Sequence, residues 1–358
     1  MPVRLRFANA ELLEALALVA PGTPLRAGIE RIVRAKGGAL LVIGDGPEVL
    51  AICSGGFLVD APFSPQRLSE LAKMDGAIIL SADCARIARA NVHLVPDPTV
   101  PTSETGTRHR TAERVARSLE VPVISASEEM GVINLYAGGS KHQLQDVSRL
   151  LDRANQALQT LERYKVRLED ALLSLTSAEL EDAASLRDVA SVLQRGEMVN
   201  RIAEEIETMI VELGIEARLL RLQLDEIYGD IEDELELVVT DYVDRGRTAA
   251  DTLAEMADLS DDDVLDLRTA AATLHRDVDH HDLDQEVLPK GLRLLNRVHR
   301  LTNDSAFKIV EHFGGLARLQ RATVPDLMEV DGVDGATAAS IKETLQRVTE
   351  SAILDQYS

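Results

Sequence analysis

Apolar and polar positions change their period twice along the chain. In the first part, helix-period and strand-period stretches alternate. "TPLRAGIERIVRAKGG" places Thr23 as N-cap, Pro24 at the first helical position and Gly37 just past the end, which predicts a well-punctuated helix. "ALLVIG" and "VLAICSGG" are short apolar runs around "DGPE" and predict a hairpin. "SPQRLSELAK" repeats the Ser-Pro helix start, "GAIILS" reads as a buried strand and "NVHLV" as a shorter one. A helix then begins within "TSETGTRHRTAE" and continues as "AERVARSLE", with Val115 and Leu119 on one face; "VPVISAS" and "GVINLYAGG" follow as strands.

From about Ser140 the pattern is helical throughout. Val147, Ala154, Leu161, Leu168 and Leu175 recur every seven residues, with Leu151, Leu158 and Leu172 completing a narrow apolar seam on one long helix. Amphipathic stretches such as "MVNRIAEEIETMIVELG" continue the theme. The last segment holds "LMEVDGVDGATAASIKETL", a helix, a tight Gly332–Gly335 turn and a second helix starting near Ala336. Upstream, "LTNDSAFKIVEHFGGLARL" reads as a partner unit whose glycine turn is worn away. The fold class expected is therefore an α/β domain with a mixed sheet over residues 1–140, an all-α middle over 141–288 serving as spacer and assembly element, and a C-terminal helix-hairpin-helix domain over 289–358.

Proline supports these boundaries: ten of twelve lie at or before Pro122, and none falls between there and Pro289. Charge does too. The net charge of −22 argues against nucleic acid until it is divided along the chain. Residues 1–145 carry 15 basic and 15 acidic side chains, 146–288 carry 14 and 36, and 289–358 carry nine of each. The middle holds the whole excess, so either end is free to present a basic patch. Aromatics make up only 3% of the chain, leaving aliphatic side chains to form the cores. No run is long and apolar enough to span a membrane. Glu11 and Glu14 interrupt the apolar N-terminal stretch as a signal-peptide core would not allow. Cys53 and Cys84 share no metal-ligand spacing and offer at most one disulfide, so a reduced, cytoplasmic setting is expected.

The stretch at 102–113 carries the first candidate chemistry. Arg108 and Arg110 fall at a helix start, where the macrodipole disfavours cations. With Gly106 and neighbouring threonine hydroxyls they describe a seat for an anion; two surface arginines on a fraying helix is the alternative. In the middle segment, His275, His280 and His281 lie among acids, and a solvated acidic turn is preferred over a metal site. In the last segment, the Gly332–Gly335 turn and Lys342, with Lys308 and Arg347, suit DNA phosphates, against a plain helical bundle with a glycine corner.

"KMDGAIILS" at 73–81 and "GTRHRTAE" at 106–113, followed by "SASEE", together resemble the paired signatures of diadenylate cyclases. The order of domains resembles the DNA-scanning branch of that family over essentially the whole chain. The resemblance implies condensation of two ATP into cyclic di-AMP with release of two pyrophosphates, using Mg²⁺ or Mn²⁺. It implies that Asp75 holds the metal and helps deprotonate the ribose 3′-OH, and that Gly76 lets the nucleotide approach the backbone. Arg108, His109 and Arg110, with Thr107 and Thr111, would neutralise the triphosphate. Leu94 matches the position holding adenine, and Ser127 lies in the turn facing the nucleotide. Glu128 and Glu129 are second metal ligands or surface acids. The implied partners are ATP, DNA through residues 289–358, and further copies of the chain, an octamer in the family, with cyclase domains face to face. Asp334 departs from the usual Gly-hydrophobic-Gly hairpin and sets a carboxylate beside the expected phosphate. A DNA-associated scaffold that binds nucleotide without catalysis is the second reading.

Overall fold

The computed structural model describes residues 10–127, 131–244, 246–275, 282–299 and 301–355. Glu128, Glu129, His280 and His281 lie outside the described residues. The chain divides into two compact units, one built from Arg4–Leu158 and Glu204–Leu224, the other from Gln159–Ala203 and Asp225–Ser358.

The first unit starts with helices α1 (Ala10–Val19) and α2 (Pro24–Arg34). Thr23 caps α2 by accepting from the Arg26 N–H, as its sequence predicts. Strand β1 (Ala39–Ile43) leads into helix α3 (Pro47–Ala51), then β2 (Cys53–Ser54), β3 (Phe57–Pro62), α4 (Pro65–Leu71), β4 (Ala77–Leu80) and β5 (Arg86–Leu94). Helix α5 (Thr107–Leu119) and strands β6 (Val123–Ala126), β7 (Ile133–Ala137) and β8 (Ser140–Gln143) complete the unit's α/β part. The sheet order is β2-β5-β4-β1-β6-β7-β8, with β3 also paired to β5. Only β1 and β4 run parallel among these pairs, so the sheet is mixed.

Both sheet faces are covered, which explains the unbroken apolar runs of β1 and β4. Leu41, Ile43, Ile78 and Leu80 pack with α1 and α2 residues such as Leu16 and Ile29. Leu40, Val42, Ala77 and Ile79 face Ala112, Val115 and Ala116 of α5.

Two sequence expectations fail here. The β1 hairpin does not form, because β4 and β6 occupy both edges of β1 and the following "DGPE" opens α3 with Pro47 in its first turn. Strand β5 begins five residues before "NVHLV". Arg86, Arg89 and a left-handed Asn91 (φ 54°) interrupt the alternation that would have marked it. The cysteines, Cys53 and Cys84, are both free thiols.

Helices α6 (Val147–Leu180), α7 (Leu186–Leu213) and α8 (Arg218–Tyr228) each contain a dividing point between the units. Most of the seam on α6 is packed inside the chain, with Val147, Leu151 and Leu172 half-buried. Ala154, Leu158, Leu161, Leu168 and Leu175 are 0–4 % exposed within the single chain, so intramolecular packing has already consumed most of that face.

The second unit continues through α9 (Ile231–Tyr242), α10 (Ala249–Asp258), α11 (Asp261–Leu265) and α12 (Leu267–Ala272). It closes with α13 (Leu292–Leu295), α14 (Asn303–Phe313), α15 (Leu316–Arg321), α16 (Val324–Leu327) and α17 (Gly335–Asp355), which share one core. The turn between α14 and α15 is not worn away: Gly314 and Gly315 both have positive φ, 73° and 155°. Arg293, fully buried, pairs with buried Glu179 of α6, and Glu179 also accepts from the Tyr242 hydroxyl at 2.7 Å. Buried Asp241 accepts from the N–H groups of Gly291, Leu292 and Arg293. A charged cluster thus ties α6, α9 and α13 into this unit. His275 pairs with Glu255 at 2.8 Å. No single helix among the described residues is long and apolar enough to cross a membrane.

Candidate active site

The site is built at the start of α5. Its N-cap, Gly106, is extended and supplies no side-chain hydrogen bond, and no acid lies in the first turn. The first N–H groups of a 13-residue helix are thus left without a capping side chain, the arrangement that suits an anion. The preceding loop is fixed against the helix. Buried Glu113 accepts from the Thr102 hydroxyl at 2.5 Å and the Ser103 N–H at 3.0 Å. Arg114 and Arg117 donate to the carbonyls of Val100 and Pro101, each at 3.0 Å.

From this turn the Arg-His-Arg side chains diverge. The Arg108 guanidinium crosses the backbone of Gly38, next to β1, and lies 3.8 Å from Asp75 Oδ1. Residues more than thirty positions apart in sequence meet there, and the Asp75 side chain is wholly exposed. Arg110 and Thr107 are exposed, and the Thr111 hydroxyl donates to the Thr107 carbonyl at 3.0 Å.

His109 turns inward instead. Its Nδ1 is 2.6 Å from Ser125 Oγ and 3.2 Å from the Tyr136 hydroxyl. Burial holds this imidazole below its ordinary pKa, reinforced by Lys141 and Arg108 and opposed by Glu104. It is therefore neutral near pH 7, a positioning group rather than a third cation. The Tyr136 hydroxyl donates to Glu104 at 3.1 Å, and Lys141 lies 2.6 Å from the same carboxylate. Burial would raise Glu104, but these two hydrogen bonds together with the charge of Lys141 outweigh it and leave the carboxyl below the usual range.

Gly76 has a steric reason different from the one its sequence suggested. A Cβ there would stand 2.6–2.7 Å from the Asn91 backbone of β5, so glycine is first required for the sheet to close beside Asp75. Leu94 ends β5 with its side chain 6 % exposed in the core under α5. Ser127 is half-buried just past β6, its N–H bonded to the Val132 carbonyl.

Asp75, Arg108, Arg110 and the first turn of α5 are thus exposed or half-buried groups of one region, whereas Leu94 contributes from the core. Sequence reasoning missed Gly38, whose Cβ would fall 2.0 Å from Arg108 Nη1. The Gly37-Gly38 pair was a signal, read only as a helix stop. It also missed Glu104, Tyr136 and Lys141, which carry no local motif.

Among the described residues no three His, Cys, Asp or Glu side chains form a ready-made metal cage. Asp75 nevertheless fits Mg²⁺, which keeps several waters and binds through one or two carboxylates plus substrate phosphates.

In the second unit, Gly332 (φ 89°) makes the turn before α17. Asp334 caps α17 by accepting from the Thr337 N–H at 2.7 Å, which lowers its pKa. Gly335 starts the helix, and a Cβ there would make only ordinary contacts. The Lys342 ammonium donates to the Gln320 carbonyl at 2.8 Å.

Residues 26–141 match the family described as DisA bacterial checkpoint controller nucleotide-binding, and residues 144–281 match the DisA bacterial checkpoint controller linker region. The chain belongs to the DisA family. The DisA nucleotide-binding match contains every residue of the α5 site from Gly38 to Ser127. The DNA integrity scanning protein DisA of Streptomyces coelicolor is 49% identical over 98% of this chain and 95% of its own length. The protein of that name from Frankia alni is 51% identical over 96% of each chain. Solved DacA from Staphylococcus aureus matches at 22% identity and a TM-score of 0.27, covering 38% of this chain and 87% of its own, too distant to add to this.

Proposed function

We propose that the chain is a diadenylate cyclase, condensing two ATP into cyclic di-AMP and two pyrophosphates. The carrying observation is the exposed Asp75 carboxylate 3.8 Å from Arg108, beside the uncapped start of α5. In each half-reaction a ribose 3′-oxygen attacks the α-phosphorus of the other ATP. The new P–O bond forms as the bond to pyrophosphate breaks, and the 3′-OH proton leaves toward Asp75 or water. Arg108, Arg110 and the free N–H groups of α5 hold the triphosphate and the charge growing on departing pyrophosphate. His109, fixed from behind by Ser125 and Tyr136, sets the direction of that first turn. Asp75 would hold a divalent ion, Mg²⁺ or Mn²⁺, which supplies Lewis acidity to the hydroxyl and phosphates.

One Asp75 and one Arg108 serve one ATP, so two copies of the site must face each other, and the active species is a homo-oligomer. The buried α6 seam leaves this contact to other surface; Phe57 and Leu58 of β3, 59 % and 74 % exposed, offer an apolar one on the same unit. The C-terminal helices with their glycine turns form a helix-hairpin-helix module that contacts branched or damaged DNA, consistent with the DNA-scanning name of the relatives. Asp334, whose carboxylate caps α17, and the engaged Lys342 make that contact modest in affinity, with a shallow salt slope. Cytoplasmic placement accords with ATP as substrate and DNA as partner.

The test is incubation with ATP and Mg²⁺ or Mn²⁺, with products separated chromatographically and sedimentation followed on dilution. Cyclic di-AMP should form, and turnover should collapse as oligomers dissociate. Asp75→Asn should abolish cyclisation yet still bind ATP. Binding without product in the parent protein would instead establish the non-catalytic scaffold.

A further inference from the structure

The second unit contains a cavity of about 360 Å³ between α6, α17 and the chain just past α13. Its polar lining is Thr176 and Ser177 from α6, Thr344, Arg347 and Ser351 from α17, and Arg297. In a chain with 60 acidic and 38 basic side chains, none of the described residues lining this cavity is a carboxylate. Two guanidinium groups and four hydroxyls therefore line one concave space, with no acid among the described residues there.

Neither arginine is well neutralised. Arg297 has its nearest carboxylate, Glu234, at 3.8 Å, and that carboxylate is also shared with Arg293 at 3.4 Å. Burial draws the Arg297 pKa down, and like-charge repulsion from Arg293 adds to it. Arg347 bonds Thr344 Oγ1 at 3.3 Å and makes no ion pair among the described residues. Thr176 and Thr344, 3 % and 4 % exposed, lie deep in the wall. Thr176 accepts from Arg293 at 2.9 Å and donates its one proton to the Leu172 carbonyl at 2.7 Å, so it lines the wall only, and Ser177, Thr344 and Ser351 are the hydroxyls left to serve a ligand. The carbonyls ending α6, which would repel an anion, are partly satisfied: Ser177 O accepts from Glu181 N and Ala178 O from Ala183 N.

We propose that this cavity is a second phosphate-binding site, separate from the α5 residues, which takes the phosphoryl groups of a nucleotide-sized small molecule. Guanidinium forks and hydroxyls are the donors that phosphate oxygens accept from most strongly. The volume lies at the lower end of the range for small-molecule pockets, enough for a nucleoside mono- or diphosphate. Leu173 and Val348 provide apolar wall for the rest of such a ligand. A duplex backbone is a convex rod and would touch the rim rather than the two buried threonines.

The experiment uses the full chain carrying Arg108→Ala and Arg110→Ala, so that the α5 site contributes little, with ADP as the probe in calorimetry. ADP should still bind. Adding Arg347→Gln, an exposed position whose change should leave thermal unfolding unmoved, should weaken ADP at least tenfold. Ser177→Glu, which places a carboxylate in the cavity, should do the same. Absence of ADP binding in the starting variant, or an affinity unmoved by Arg347→Gln, would overturn the proposal. A short duplex is titrated in parallel: loss of duplex affinity with ADP unmoved would assign the arginines to DNA and also overturn it.

Discussion

Replacing Gly38 by alanine tests whether Arg108 works from the place the structure gives it. The new Cβ would fall 2.0 Å from Arg108 Nη1 and 2.9 Å from its Cζ, so the guanidinium must leave. The other close neighbour, the Ala126 carbonyl at 3.3 Å, needs to yield only a few tenths of an ångström. Gly38 is not among the residues with positive φ, so alanine meets no backbone strain. Restricting the unfolded chain favours the variant by about 0.4–1 kcal/mol, which offsets the small readjustment. Stability should therefore change by less than about 1 kcal/mol. Function should not be spared. A hydrogen bond to a charged group contributes about 1.5–3 kcal/mol, so displacing the guanidinium from the triphosphate should lower kcat/KM roughly tenfold to a hundredfold. The assay pairs thermal unfolding with cyclic di-AMP formation over a range of ATP concentrations. Wild-type kcat/KM in a folded Gly38→Ala protein would refute the placement of Arg108, and a large loss of stability would refute the account of Gly38.

Three further outcomes follow from the geometry. His109 has a folded pKa below that of the unfolded chain, so the unfolded state binds more protons in the window beneath about 6.5 and stability there falls with falling pH; an NMR titration placing His109 above that value would contradict its burial. Arg293→Ala should cost the second unit about 3–5 kcal/mol in denaturant unfolding, because Glu179 would be left buried without its cation; a midpoint near that of the parent would mean the cluster is solvated. Asp334→Gly removes a carboxylate and frees N–H groups at the start of α17, so duplex affinity should rise while α17 loses a cap; unchanged affinity in a gel-shift series would take this turn out of the DNA contact.

The elements that carry local punctuation were legible in the sequence: α2 behind Thr23-Pro24, α4 behind Ser64-Pro65, and α5 entered by Arg-His-Arg. Buried β4 was legible from four consecutive apolar residues. Period and capping are short-range physics, and a single chain segment displays them. Strand partners are not short-range. The apolar run of β1 is equally compatible with a hairpin and with its actual place between β4 and β6, and the choice depends on residues up to about ninety positions away. The same limit applied at the site. Asp75 and the arginines were found because their motifs are local, whereas the work of Gly38 and Gly76 is visible only against Arg108 and the Asn91 backbone. His109 looked like one cation among three until the fold half-buried it against Ser125 and Tyr136, and desolvation then decided its charge. The α6 seam repeats every seven residues whether its partner lies in the same chain or another. Tertiary packing alone determined that it closes on its own chain, since apolar surface is buried by whichever neighbour the fold supplies.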